Sequence, residues 1–366
     1  MRGSAPGRLD LLGGVADYSG ALVLEMPTRQ SAEVDVDGDG DFEVGPATLS
    51  ADELARLASL PYEKVREVLA PLPRWTHYVI GVAVVLLRHR IIGDARGTVT
   101  VSSDLPASVG VASSAALEVA TARALGAETV PPLHLAALCQ EAENQVVGAP
   151  CGIMDQVAVA MGVRGTVLPI LCRPASVAET VAVPHGLEVV GWPTGVAHDV
   201  GGDPYRRARA AAFMGKRMVE DATGHSWSWA SELPASAVDS LPDVFSGSEF
   251  IDHWGDHGDT VTAVDPNEWY PVRASTSFGA EEHLRGAMAL TALRKGDART
   301  VGFAMAASHA GYDTMGLGHP AATTLVEKAL ARPGVHGARS SGGGCGGTVV
   351  VLCDCGALDD VGELIR

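Results

Sequence analysis

Two carboxylates lie on either side of a short segment rich in small residues. Glu143 ends one predicted helix and Asp155 begins another, and the segment between them contains Gly148, Pro150 and Gly152. A tight turn of this kind can bring both side chains to one site, where one carboxylate holds Mg²⁺ and the other accepts a proton. Helix capping is the alternative for Asp155, because aspartate is favoured at the start of a helix in any case.

A second segment, residues 98–117, is typical of an anion-binding loop. A strand-like alternation runs into a loop of Pro, Ala, Ser and Gly, and a helix of strong helix formers follows. Small residues let backbone N–H groups approach a phosphate, and the helix N-terminus adds the positive end of its dipole. The hydroxyls of Ser113 and Ser114 could bind a magnesium–phosphate unit or simply cap the helix.

A third segment, residues 340–347, reads SSGGGCGG and precedes a β-branched strand. Its glycines allow the backbone to approach a ligand closely, although a tight turn before a strand explains them as well. Three loops of small residues and a carboxylate pair on one chain together favour a phosphate-handling enzyme.

Alternating helices and strands must position these loops. We predict strands at 98–104, 165–172, 187–192 and 348–352, and a long packed insertion at 222–278. We predict helices at 115–125, 132–146, 205–221, 280–293, 300–310 and 321–331.

The composition predicts a globular protein large enough for two domains. The chain has 366 residues, of which 46% are hydrophobic and 19% charged, and its formal net charge is −17. That charge argues against nucleic acid as a partner.

Residues 79–87 are too few to span a bilayer, and Arg8 and Asp10 interrupt any N-terminal signal sequence. Six cysteines without CxxC spacing indicate reduced thiols, so we expect a cytoplasmic protein. The sequence leaves open whether it is a monomer or a small homo-oligomer.

Four segments resemble one enzyme superfamily. Residues 5–20, 105–117 and 337–347 are similar, in order and spacing, to the three motifs of the GHMP kinases. Residues 139–156 (CQEAENQVVGAPCGIMDQ) are similar to the galactokinase branch. The resemblance implies ATP and Mg²⁺ as cofactors and a sugar as the acceptor of the phosphoryl group, with a sugar 1-phosphate as the product.

The resemblance also implies a two-domain α/β (α+β) fold. We expect an N-terminal domain, residues 1–190, around a mixed sheet, and a C-terminal domain, residues 191–366, with a ferredoxin-like antiparallel sheet. ATP and the sugar are expected to bind in the cleft between the domains.

The resemblance further assigns roles to individual residues. Asp155 matches the base that accepts the proton of the anomeric hydroxyl, and Arg8 matches the arginine beside it. Glu143 and one of Ser113 and Ser114, of which we favour Ser114, match the Mg²⁺ ligands. The expected nucleotide-binding residues are Pro106, Ser108, Gly110, Ala112, Ser113, Ser114, Trp75 and Tyr78. The expected sugar-binding residues are Gly14, Val15, Asp17, Gly152, Tyr205, Gly343 and Gly344.

One departure from the family motif bears on the choice of sugar. Galactokinases carry Gly-Glu-His-Thr-Asp-Tyr where this chain has Gly-Gly-Val-Ala-Asp-Tyr at 13–18. The missing Glu and His serve the C6 hydroxymethyl group in that family, whereas Asp17, which serves the ring hydroxyls, is kept. This pattern, and a similarity to plant L-arabinokinases, implies L-arabinose, and Gly14→Glu with Val15→His should then narrow the preference over galactose.

Two other classes of function remain open. One is a kinase for galactose, for another C6-modified sugar or for a sugar acid. The other is a non-catalytic sugar sensor on the same scaffold, which is disfavoured because the catalytic and metal-binding residue types are present.

Overall fold

The computed structural model describes residues 1–196 and 203–366. Its strands are β1 (Arg2–Leu12), β2 (Leu22–Asp37), β3 (Phe42–Val44), β4 (Ala47–Leu49), β5 (Gly97–Ser103), β6 (Thr166–Cys172), β7 (Ala175–Val177), β8 (Val181–Ala182), β9 (Leu187–Pro193), β10 (Phe245–Ser246), β11 (Trp269–Tyr270), β12 (Val335–Ser340) and β13 (Thr348–Asp354).

The α-helices are α1 (Ala51–Ser59), α2 (Tyr62–Leu69), α3 (Arg74–Arg88), α4 (Ser113–Ala124), α5 (Pro132–Glu141), α6 (Met154–Met161), α7 (Asp203–Thr223), α8 (Ala235–Val238), α9 (Gly247–Trp254), α10 (Val272–Arg294), α11 (Ala298–Thr314) and α12 (Pro320–Leu330). Two 3₁₀ turns (Gly14–Ser19, Ala230–Glu232) and one π-helical turn (Ala142–Val147) complete the set. Within the described ranges, no helix is both long enough and apolar enough to cross a membrane.

The described residues divide into two compact units, and neither is continuous in sequence. The first unit comprises residues 1–8, 27–107 and 112–162. The second comprises residues 9–26, 108–111 and the described part of 163–366.

The first unit contains a mixed sheet and a set of packed helices. The second half of β2 pairs antiparallel with β5, β5 pairs parallel with β3, and β3 pairs antiparallel with β4. Helix α3 packs against α4, and α5 packs against α6. The apolar run at 79–86 is fully buried in α3, so it forms part of this core.

The second unit contains an antiparallel sheet in the order β12–β13–β9. The β-branched run of β13 is buried over residues 348–353, because helices cover this sheet: α11 and α12 both pack against β12. The first four residues of β2 also belong to this unit and pair with β6.

The predicted boundary between residues 190 and 191 falls inside β9, which pairs with β13 along residues 187–193. The C-terminal sheet therefore takes a strand from before that boundary. Residues 9–26 and 108–111 also lie in the second unit, although the sequence places them in the N-terminal domain. The domain limits 1–190 and 191–366 stay a prediction, and the compact units are divided elsewhere.

The segment 222–278 is packed. It holds two short helices, two short strands and the first turns of α10. Leu241, Phe250 and Tyr270 are buried in one cluster with Met214 and Val219 of α7, so the segment shares a core with that helix.

Candidate active site

Asp155 lies in the first turn of α6 and forms an ion pair with Arg8 of β1. Arg8 Nε donates to Oδ1 at 2.9 Å, and Nη2 donates to Oδ2 at 3.0 Å. The Arg8 side chain is 3% exposed, whereas that of Asp155 is 19% exposed. The N-cap residue of this helix is Ile153, which makes no side-chain cap. The bidentate pair orients the carboxylate and balances its charge while one side of it remains accessible.

Glu143 lies in the π-helical turn and is buried. Gln156 Nε2 donates to Glu143 Oε2 at 2.6 Å, the Cys151 thiol lies 3.3 Å from the same oxygen, and Ser114 also hydrogen-bonds to this carboxyl group. Burial raises the pKa of Glu143 to about 7, and the nearby charge of Asp155 acts in the same direction. Single π-turns of this kind are frequent at functional sites.

Glu118 is a third carboxyl group, which the sequence analysis missed. It is fully buried on α4, and Gln156 Nε2 donates to it at 3.1 Å. Burial raises its pKa well above the ordinary value, and the charge of Glu143 adds to the effect. Glu118 could have been found from the sequence, because it lies four residues after Ser114 and residues four apart share one face of a helix.

These carboxyl groups fit a partial magnesium site. Among residues 1–196 and 203–366, no group of three or more His, Cys, Asp or Glu side chains could hold a metal ion by itself. Mg²⁺ in kinases usually takes one or two protein ligands and completes its shell with phosphates and water. Glu143 and Ser114, already hydrogen-bonded to each other, could supply that pair of oxygens. The buried Glu118 Oε1, which has no hydrogen-bond partner among the described residues, is a further electron-rich atom nearby.

Glu143→Gln is therefore expected to raise the Mg²⁺ concentration for half-maximal activity by roughly fivefold, because a charged ligand becomes neutral. Ser114→Ala should act in the same direction more weakly, since a hydroxyl is a neutral ligand. Mg²⁺ titration at saturating substrates measures both effects. Glu141→Gln, a change of the same type two residues earlier and outside this cluster, is the control. An unchanged requirement in Glu143→Gln would contradict the metal role.

Backbone strain is concentrated in the two predicted ligand loops. Five non-glycine residues of the described chain have positive φ, and three of them are Ser108 (56°), Ala112 (57°) and Cys345 (60°). Such conformations cost free energy and cluster at ligand sites. Ala112 is the N-cap residue of α4 and makes no side-chain cap. The start of this helix is therefore held by the loop rather than by a capping side chain.

The middle of the first of these loops is anchored within the second unit. Thr348 Oγ1 donates to the carbonyl of Val109 at 2.7 Å, and Ser341 Oγ donates to that of Gly110 at 3.3 Å. Gly110 itself has φ of 75°. Hydroxyls that flank the glycine-rich segment thus hold the backbone of the predicted phosphate loop, in which Pro106 is half-buried.

The two predicted adenine-site residues have different surroundings. Trp75 is 39% exposed in the first turn of α3, and its ring lies against the backbone of Gly45. Tyr78 is half-buried, and burial together with the charges of Glu143 and Glu118 raises its pKa. Tyr78 therefore lies near the carboxyl groups, and the adenine role of both residues stays a prediction.

Asp17 lies in the 3₁₀ turn Gly14–Ser19 and is buried, with Oδ1 accepting from Tyr18 N at 2.6 Å. Tyr205 packs edge-on against Tyr18, with ring centroids 6.1 Å apart. The second unit thus brings Asp17, Tyr205 and the turn together, and the sugar-binding role of these residues stays a prediction.

Three predicted sugar-site glycines lie in tight segments. Gly152 is buried three residues before Asp155, and Gly343 is buried in the loop that follows β12. Gly344 has φ of 78°, and a Cβ there would lie 2.6 Å from the carbonyl oxygen of Leu317. Only glycine fits that last position, whether or not a ligand is bound.

The sequence patterns also did not predict an ion pair between Arg209 and Asp259, which lies beside Tyr18. Arg209 Nε and Nη2 donate to the two carboxylate oxygens of Asp259 at 2.8 and 2.9 Å, and both side chains are buried. The guanidinium lies 5.3 Å from the ring centroid of Tyr18. Burial lowers the pKa of Arg209, but Asp259 outweighs this effect and raises it, with a contribution from Asp17. Arg209 could have been found from the sequence, because it lies four residues after Tyr205 on α7 and therefore on the same face of that helix.

Comparison with known proteins identifies the family. The model of the GHMP kinases N terminal domain matches residues 77–163, and that of the GHMP kinases C terminal matches residues 289–363. The galactokinase of Chloroflexus aggregans is 32% identical over 97% of this chain and 84% of its own length. The chain belongs to the galactokinase branch of the GHMP kinases. The family expected from the motifs is confirmed, and with it the assignment as an ATP:sugar phosphotransferase.

Two further relatives of this GHMP kinase are informative. The L-arabinokinase of Arabidopsis thaliana is 30% identical over 95% of this chain, which spans 42% of that longer protein. The structure of Lactococcus lactis galactokinase complexed with galactose matches 98% of this chain and 87% of its own, with a TM-score of 0.77 and 22% identity. This match confirms the predicted two-domain α/β GHMP kinase fold.

Proposed function

We propose that the chain transfers the γ-phosphoryl group of ATP to the anomeric hydroxyl of L-arabinose. The observation that carries this proposal is the bidentate Arg8–Asp155 pair, which leaves an oriented carboxylate accessible at the start of α6. Asp155 accepts the proton of the anomeric hydroxyl, and the resulting oxygen nucleophile bonds to the γ-phosphorus. The bond from that phosphorus to the bridging oxygen breaks, so ADP leaves and L-arabinose 1-phosphate is formed.

Charge neutralisation supports this chemistry. A Mg²⁺ ion held by Glu143 and Ser114 would neutralise charge on the ATP phosphates. The strained loop around Ser108 and Ala112 would supply backbone N–H groups to those phosphates. Arg8 keeps positive charge beside the base while proton transfer occurs.

The choice of L-arabinose follows from residues 14–18. Val15 is 2% exposed and has no polar side-chain atom, so it offers no hydrogen bond to a hydroxymethyl group. Asp17 is retained for ring hydroxyls. L-Arabinopyranose has the ring configuration of D-galactopyranose without C6, which suits a site with these groups.

Galactose is the second candidate, since the galactokinase of Homo sapiens is 33% identical to this chain. A C6-modified sugar or a sugar acid belongs to the same class. A non-catalytic sensor is disfavoured, because Ser113, Ser114, Glu143 and Asp155 are all present.

The test is ADP release by the purified chain with ATP and Mg²⁺ against a panel of pentoses, hexoses and sugar acids. Phosphorus NMR of the product distinguishes an anomeric phosphate from a phosphate at another hydroxyl. Phosphorylation at a different carbon, or no turnover with any sugar, would contradict the proposal.

A further inference from the structure

The start of the turn that carries Asp17 is held through its backbone. Its three successive N–H groups, at residues 13–15, each donate to a buried side chain. The acceptors are Glu282 Oε1, Asp10 Oδ1 and Tyr312 Oη, at 3.0, 3.1 and 3.3 Å respectively. Since buried N–H groups need partners, these three side chains determine the path of the backbone that leads to Asp17.

Tyr312 occupies the centre of this network. Its hydroxyl donates to the carbonyl of Gly342 and accepts from Val15 N and from Arg339 Nη2, the latter at 3.1 Å. Arg339 in turn forms a fully buried ion pair with Asp10 at 2.8 Å. One hydroxyl thus links the sugar-site turn to the glycine-rich loop, and all of these groups lie in the second unit.

The same hydroxyl fills the space beside Gly14. A Cβ built on Gly14 would lie 1.8 Å from Tyr312 Oη and 3.0 Å from its Cζ, and Gly14 has φ of 50°. No side chain fits at position 14 while Tyr312 keeps this place. Gly14→Glu with Val15→His is therefore expected to disrupt the turn, rather than to restore galactose binding as the motif comparison alone suggested.

We propose that Tyr312 is a positioning residue for the sugar site. Its hydroxyl holds the 13–15 backbone and excludes any side chain at position 14, so the backbone that leads to Asp17 keeps its path. This inference rests on the proposed binding of sugar by the turn Gly14–Ser19.

The first test is Tyr312→Phe, which removes one hydroxyl and keeps the ring. The KM for sugar should rise about fivefold while the KM for ATP stays unchanged, because only one of the three lost hydrogen bonds, that from Val15 N, holds the sugar-site turn. Tyr270→Phe is the matched control, because Tyr270 is also buried in the second unit and its hydroxyl accepts from Asp265 N at 2.7 Å. This control should lower the Tm and leave the KM for sugar unchanged. An unchanged KM for sugar in Tyr312→Phe, or equal rises in both variants, would overturn the proposal.

The second test examines the contact between Gly14 and Tyr312. Gly14→Ala alone should lower the Tm and raise the KM for sugar. The addition of Tyr312→Phe should recover part of the lost Tm and part of the lost sugar affinity, because the clash between the new Cβ and the Tyr312 hydroxyl disappears. Additive effects in the double variant would overturn the steric part of the proposal.

The two tests also distinguish failure of this inference from failure of the proposed function. An unmodified chain that phosphorylates no sugar would contradict both the proposed function and the sugar role of Tyr312. An active chain whose KM for sugar does not respond to Tyr312→Phe would contradict the inference alone.

Discussion

Asp155→Asn is expected to lower kcat by roughly 10²–10⁴-fold, the usual contribution of a general base. Asparagine has nearly the same shape as aspartate and can still accept a hydrogen bond from Arg8. It cannot take the proton of the anomeric hydroxyl. Binding of ATP and of sugar, measured by calorimetry on the same preparation, should therefore remain close to that of the unmodified chain.

The stability of this variant must be separated from its chemistry. Arg8 is buried, so removal of its counter-charge is expected to lower the Tm. Glu188→Gln is a suitable control, because Glu188 pairs with Arg366 and its side chain is 18% exposed, close to the 19% of Asp155. This control should lose stability without losing kcat. Near-normal kcat in Asp155→Asn would refute the assignment of the base.

L-Arabinose is expected to give a kcat/KM at least tenfold above that of D-galactose, with galactose turnover still detectable. The hydroxymethyl group of galactose would lose water beside the turn Gly14–Ser19 and gain no partner there, because neither Gly14 nor Val15 has a polar side chain. An unmade hydrogen bond of this kind costs about 1–3 kcal/mol, which corresponds to roughly tenfold to two-hundredfold. The pentose has no such group and escapes the penalty.

A pair of variants at one position tests the physical reason. Val15→Thr adds a hydroxyl with almost no change of volume, and it should narrow the preference for L-arabinose by offering galactose a hydrogen bond. Val15→Ala adds space without a polar partner, and it should narrow the preference for L-arabinose less than Val15→Thr does. Competition between the two sugars in one reaction measures the ratio of kcat/KM directly. Equal or better use of galactose by the unmodified chain would overturn the arabinose assignment and leave the sugar kinase assignment standing.

Local sequence patterns predicted several elements to within two residues. Strand β5, with its alternation, and strand β13, with its β-branched run, lie where they were expected, and α4 begins at Ser113, two residues before its predicted start. The helix predicted over 132–146 is α-helical only to Glu141, because the backbone then changes to the π-helical turn. The sequence pattern did not predict this change of hydrogen-bond register. Strand β1 was not predicted, since Gly3, Pro6 and Gly7 obscure its pattern.

The sequence by itself determined the family, through loops of small residues in a recognisable order, and it singled out Glu143, Asp155 and the unusual Gly14. Each of these is a local property of residue type and spacing. The tertiary structure alone decided what those residues contact. Arg8 and Asp155 are 147 positions apart, and Tyr312 lies 297 positions from Val15. Which distant side chains meet depends on how the elements pack, and local propensity carries no information about that packing.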